Sequence, residues 1–253
     1  MKIKRILVTQ PKPEAEKSPY FDLAKNNNLQ IDFRPFIHVE DVGASEFRRQ
    51  KIAILDHTAV IFTSRTAIDH FFRLAKEMRL TIPETMKYFC VSESTAFYLQ
   101  KYIVYRKRKI FYANGTFDNL ITIAKKYINE KFLLPLSDIH KQEIPDKLTK
   151  EKFTFTKAIL YKTVSSDLSD LNHGDYDVIV FFTPSGIASL KQNFPDFKQN
   201  KTFIASFGST TAKAVTDAGL RLDIPAPVPK APSMTMALEQ FIKKHNKEHK
   251  TKE

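Results

Sequence analysis

The chain has one cysteine, Cys90, no tryptophan, and only six glycines among 253 residues. A lone cysteine excludes an internal disulfide and any metal site built from several thiolates. The sparse glycines form neither GxGxxG nor GxxxxGK[ST], which argues against a nucleotide enzyme. Long apolar runs are absent too. The first, Ile6-Leu7-Val8, gives way to Gln10 and Pro11, well short of a signal-peptide core or a membrane span. The expected location is therefore the cytoplasm, away from any membrane. The histidines at 38, 57, 70, 140, 173, 245 and 249 show no HExxH or paired spacing, so surface or capping roles are expected and no metal is implied.

What is present suits a globular chain. Hydrophobic residues make up 42% and charged residues 27%, enough apolar material for a core. The formal net charge is +12, which favours a polyanionic partner: nucleic acid, acidic lipid or a small polycarboxylate. Part of that charge lies in the 242–253 tail, read as a solvated, frayed helix end, and in the 106–109 loop. The 21 phenylalanines fall within strand and helix patterns, so they read as core rather than as base-stacking platforms.

Short apolar segments alternate with amphipathic ones, which predicts α/β layering. Strands are expected at 4–9, 30–39, 58–63, 87–92, 109–112, 131–136, 154–164, 177–183 and 202–207. A further extended stretch at 221–224 precedes the proline-rich IPAPVPKAP. Helices are expected at 15–26, 65–78, 94–102, 117–129, 142–149, from 185, at 210–218 and at 233–244. Pro35 interrupts the second strand, which must then be an edge or a crossing.

An internal repeat organises these pieces. TAVIFTSRTAIDHFF matches YDVIVFFTPSGIASL, and the following YFCVSESTAFYL matches FIASFGSTTAKAV. The remaining β-α-β pieces match in permuted order, so the opening segment must complete the C-terminal half. This predicts a discontinuous first domain (1–36 plus 165–253) and a second domain (40–158). Both are expected to be α/β with parallel sheets. Two linker strands, 35–39 and 159–164, would form a two-stranded β-ladder beside a ligand cleft.

The repeat also places hydroxyls after matching strands: Thr63, Ser64 and Thr66; Ser92, Ser94 and Thr95; Thr183 and Ser185; Ser209, Thr210 and Thr211. Ligands of open α/β sheets bind beyond the carboxyl ends of strands, where helix N-termini offer free N–H groups. Plain N-capping requires the same residue types, and both readings stand. Tyr161, on the return crossing, is either a packed edge residue or a hydroxyl able to donate a proton to a ligand. Cys90 reads as an inert core thiol.

In order, FTSRTAI (62–68), ILYKTV (159–164), FFTPSGI (181–187) and FGSTTAKAVTDAG (207–219) resemble signature segments of the uroporphyrinogen-III synthase family. The resemblance runs to about residue 244. It implies two α/β domains and a cofactor-free, metal-free lyase that closes linear hydroxymethylbilane to uroporphyrinogen III, inverting its last ring. By the match, Tyr161 would assist departure of the hydroxyl. Thr63, Ser64, Arg65, Ser92, Ser94, Thr95, Thr183, Ser185, Gly186, Ser209, Thr210 and Thr211 would hold substrate carboxylates. The implied protein is a monomer in transient contact with the preceding pathway enzyme. The sequence departs from the family pattern at Gln10, Ser92, Leu136-Ser137 and Phe182, which bears on activity more than on fold. A binding protein of the same fold without turnover is the alternative. A nucleic-acid binder has only the charge in its favour.

Overall fold

The computed structural model describes residues 2–15 and 17–250, with side chains to 247. The first elements are β1 (Arg5–Val8), α1 (Pro19–Asn27), β2 (Gln30–Phe33), β3 (Ile37–Asp41) and α2 (Ala44–Arg48). They are followed by β4 (Ala59–Phe62), α3 (Arg65–Glu77), β5 (Lys87–Cys90), α4 (Glu93–Tyr98), β6 (Ile110–Tyr112) and α5 (Phe117–Ala124). Next come β7 (Phe132–Ser137), α6 (Glu143–Lys150) and β8 (Phe155–Ser165). The chain continues with β9 (Val178–Phe181), α7 (Pro184–Asn193), β10 (Phe203–Phe207), α8 (Ser209–Asp217), β11 (Ile224–Ala226) and α9 (Met234–Lys250).

The chain divides into two compact units, one of residues 1–38 and 164–253 and the other of residues 39–163. The first has a five-stranded sheet of order β11-β10-β9-β1-β2, parallel throughout. The second has order β3-β8-β7-β4-β5-β6, and its β8-β7-β4-β5-β6 body is parallel. Equating β9 with β4, β10 with β5, β11 with β6, β1 with β7 and β2 with β8 superposes the two orders. The permuted repeat read from the sequence is thus the strand order itself. The adjacent strands β3 and β8 each span a unit boundary, and the chain crosses nowhere else.

Parallel strands covered on both faces need apolar residues at every position, and both central strands comply: AVIF in β4 and VIVF in β9 are buried throughout. Alternation then divides each core in two. In the second unit, Val60 and Phe62 pack with Ala67, Ile68, Phe71 and Leu74 of α3. Ala59 and Ile61 pack on the other face with Leu120 and Ile121 of α5 and Leu148 of α6. In the first unit, Val178 and Val180 meet Leu238 and Ile242 of α9. Ile179 and Phe181 meet Ile187 and Leu190 of α7 and Val215 of α8.

Several elements depart from the sequence reading. The expected 30–39 strand is two strands separated around Pro35, whose ring supplies no N–H to a ladder. Helix α1 starts at Pro19, later than expected, because the Ser18 hydroxyl caps it and Pro19 takes the first helical position. Helices α4 and α5 end early and tighten into 3₁₀ turns at Leu99–Lys101 and Lys125–Tyr127. The proline-rich segment contains a strand, β11, paired with β10. Helix α9 continues past residue 244, and Ile242, expected to be solvated, is 1% exposed in the core. Lys243 and Lys244 are exposed as expected, His245 packs its ring against Phe203 and Phe241, and the His249 side chain and residues 251–253 lie outside the described residues. No described helix is long and apolar enough to cross a membrane.

Candidate functional site

At each repeated strand-to-helix turn, an apolar strand ends, one or two residues turn the chain, and a helix begins. In the second unit, Ser64 is the N-cap of α3, and its hydroxyl accepts from the Ala67 N–H at 3.1 Å. Ser92 caps α4 in the same way, accepting from Thr95 N–H at 3.3 Å, and its oxygen also lies 2.9 Å from the Thr95 hydroxyl and 3.1 Å from that of Ser94. In the first unit, the Thr183 hydroxyl accepts from Gly186 N–H at 3.2 Å at the start of α7. Helix α8 differs: Gly208 is its N-cap at φ 88°, with no side-chain cap.

The hydroxyl residues therefore divide by role. Ser64, Ser92 and Thr183 cap helices. Arg65, Ser94, Ser209 and Thr210 are exposed on first turns, while Thr63 and Ser185 are half-buried. Thr95 and Thr211, at 5% and 1% exposed, are buried. Gly186 is buried, and a Cβ there would sit 3.3 Å from the Phe181 ring and 3.6 Å from the Thr183 hydroxyl. Its place in the pattern follows from close packing of the α7 first turn onto the end of β9. Arg65 extends its guanidinium over the Tyr98 ring at 5.4 Å. Tyr98, Tyr102 and Lys101 all donate to the Asp69 carboxylate. Burial works against that charge, but these donors together hold Asp69 below the usual carboxylate range.

Tyr161 lies on β8 among the second unit's residues. Its half-buried ring packs against the core that contains α3 and stacks on His70, with centroids 4.6 Å apart and planes 20° apart. Burial raises the phenol pKa, and the neighbouring Ser64 side chain partly offsets the rise. At neutral pH the group is a protonated phenol beside the cap of α3. The sequence reading brought Tyr161 and Ser64 into one residue set but assigned His70 only a surface or capping role. His70 is instead half-buried against Tyr161. No local spacing signals this, because positions 70 and 161 meet only through the packing of α3 on β8.

Two positions that depart from the family pattern also have structure. After β7, Ser137 donates to the Asp138 carboxylate at 2.9 Å, and its oxygen lies 3.1 Å from the Thr163 hydroxyl. Asp138 also accepts N–H groups from Ile139 and Thr163 at 2.7 and 2.9 Å. Phe182 packs beside Phe207, with centroids 6.2 Å apart, at the ends of β9 and β10.

Three concavities within the units lie at the opposite, amino-terminal edges of the sheets. One of about 220 Å³ is lined by Met86, Tyr88, Lys109 and Ile110, at the starts of β5 and β6. One of about 560 Å³ is lined by Ile3, Asp177, Thr202 and Phe203, and a third of about 270 Å³ by Phe132 and Thr154. None includes Tyr161 or the hydroxyl turns. Topology favours the carboxyl edges, where helix N-termini present their amides. Among the described residues, no group of three or more His, Cys, Asp and Glu could hold a metal ion.

Two parallel-sheet α/β units, permuted copies of one strand order and crossed twice by one chain, define a two-unit open-sheet α/β protein. A family model described as Uroporphyrinogen-III synthase HemD matches residues 20–236. The chain belongs to the uroporphyrinogen-III synthase family, whose reaction is that of a hydro-lyase in tetrapyrrole biosynthesis. Among solved structures, it is similar to a uroporphyrinogen-III synthetase from Helicobacter pylori, with 16% identity and a TM-score of 0.57, covering 95% of this chain and 99% of that one. It is also similar to a mutant uroporphyrinogen III synthase from the extremely thermophilic bacterium Thermus thermophilus, with 13% identity and a TM-score of 0.55, covering 96% and 99%. At these identities the likeness shows the fold. No curated protein matches the sequence significantly.

Proposed function

We propose that this protein is an active uroporphyrinogen-III synthase, closing hydroxymethylbilane to uroporphyrinogen III with inversion of the last ring and loss of water. The observation that carries the reading is a protonated, half-buried Tyr161 phenol close to the Ser64 hydroxyl that caps α3. A pyrrole nitrogen pushes electrons toward the hydroxymethyl carbon, the C–O bond breaks, and the phenol proton leaves with the oxygen as water. The phenolate is stabilised by the Ser64 hydroxyl and by the positive end of the α3 dipole. Ring closure then releases a proton from the carbon that is attacked, and this proton restores the phenol.

Because the substrate is intrinsically reactive, the protein's main task is to fold a flexible chain so that inverted closure outruns simple closure. Positioning dominates over acid chemistry. The substrate is a polycarboxylate, which agrees with a net charge of +12 and with helix-start turns at Thr63, Ser64, Arg65, Ser92, Ser94, Thr183, Ser185, Ser209 and Thr210. Gly186, Thr95 and Thr211 serve as supports that shape these turns. The protein acts as a cytoplasmic monomer and takes its unstable substrate from the preceding pathway enzyme. Supplying hydroxymethylbilane to purified protein and separating the product isomers tests the reading. The type III isomer is expected. Tight binding with only the spontaneous type I product would select a binding protein of the same fold.

A further inference from the structure

The imidazole of His70 is held from three elements. It lies on the second turn of α3, in the helix capped by Ser64. One face of the ring lies against Tyr161 of β8 at 4.6 Å, nearly parallel. Asp41, the last residue of β3, brings its Oδ1 to 2.9 Å from His70 Nδ1 and 3.2 Å from Arg73 Nε. Asp41 thus places one negative charge beside both groups. Arg73 is itself fixed, donating to the Val42 carbonyl and the Glu77 carboxylate, each at 2.8 Å. A longer contact, at 3.4 Å, reaches the Leu160 carbonyl, one residue before Tyr161.

The charged groups facing His70 are Asp41 from β3 and Asp69 and Arg73 from α3. Burial outweighs the attraction of Asp41, and Arg73 adds to burial, so the imidazole titrates below its usual 6.5 and is neutral at pH 7. A neutral flat ring on the face of a neutral phenol removes torsional freedom from the tyrosine without competing for its hydroxyl. Stacked rings attract each other beyond the area they bury, which biases a two-torsion side chain toward one orientation.

We propose that His70 is a positioning residue for Tyr161: its ring, set by Asp41 and the α3 backbone, holds the phenol against the first turn of α3. The inference rests on the synthase reading, since positioning matters to rate only if the phenol acts on substrate. His70 acts through Tyr161 alone.

The test compares the full-length chain with H70A, which removes the wall, and H70F, which keeps a flat ring of similar size. Steady-state formation of the type III isomer from hydroxymethylbilane gives kcat and KM. Spectra of ¹³C-tyrosine-labelled protein, with Tyr161 assigned through Y161F, report the ring directly. H70A is expected to lower kcat about tenfold while KM stays within about twofold, because misorientation of a reacting group reduces rate more than binding. H70F should recover most of the loss. The Tyr161 ring signals, shifted by stacking in the wild type, should move in H70A and stay nearer their place in H70F. Should H70A fail to fold, H70N makes the same comparison. A truncation that turns over at the wild-type rate, an H70F as slow as the truncation, or Tyr161 signals unmoved by truncation would each overturn the proposal. Wild-type protein giving no type III isomer overturns the synthase reading instead. In that case the ring signals alone decide, and movement on truncation sustains the positioning role.

Discussion

Burial raises the pKa of both the Tyr161 phenol and the Cys90 thiol, but only the phenol has a hydroxyl neighbour to steady its anion. Cys90 is fully buried and pushed up to about 12, so native protein at pH 8 should resist alkylation by iodoacetamide and react only as the second unit opens. Mass-spectrometric labelling along a urea series checks this, with modification following loss of structure. Asp138 behaves in the opposite sense. Partial burial disfavours its charge, but the Thr163 N–H, the Ser137 hydroxyl and the Ile139 N–H together lower its pKa below the usual 3.8. A carboxyl lowered on folding stabilises the fold above its unfolded pKa, and that contribution disappears as pH falls through the folded value. D138N should therefore have a lower urea midpoint than wild type at pH 7, with the gap closing below about pH 4. Tyr161 stood out in the sequence because it lies on the second crossing strand. His70 did not, because Asp41 and Tyr161 reach it from positions 29 before and 91 after it in the chain, through packing alone.

Helix starts were the most legible elements, because capping uses short-range chemistry: Ser64, Ser92, Thr116 and Thr183 each accept from an N–H three residues on. Helix ends were less legible, since whether a last turn tightens to 3₁₀ depends on what packs below it. Strand β11 was hidden by Pro225. A parallel neighbour lies on one side of this strand only, so an edge position tolerates a residue with no N–H to donate. The Gly208 turn marks where the repeat differs between units. Its φ of 88° belongs to glycine, although a Cβ would meet nothing within 4 Å. G208A should therefore destabilise through the backbone rather than by a clash, by about 1–3 kcal/mol. Denaturation midpoints compared with the crowding control G186A, whose added Cβ meets Phe181 at 3.3 Å, separate the two mechanisms. An unchanged midpoint in G208A would contradict the strain account.

The permuted repeat was visible at the scale of the whole chain because both copies keep a buried four-residue central strand followed by a capped helix. It has a consequence for autonomy. In the first unit β1 lies between β9 and β2, so a fragment of residues 164–253 would expose the fully apolar edge of β9. That fragment should show no cooperative urea transition, whereas residues 37–165, which contain every strand of the second sheet, should unfold cooperatively. Far-ultraviolet circular dichroism of the two fragments distinguishes these outcomes. The family reaction asks more of the molecule than folding: the substrate must be held so that its last ring turns over before the macrocycle closes. Isomer separation after incubating hydroxymethylbilane with wild-type protein and with Y161F, side by side, tests that most directly. The wild type should yield mainly the type III isomer, and Y161F the same isomer at a rate reduced about a hundredfold, the lower range for loss of a general acid. Type I product alone from both proteins would contradict the account.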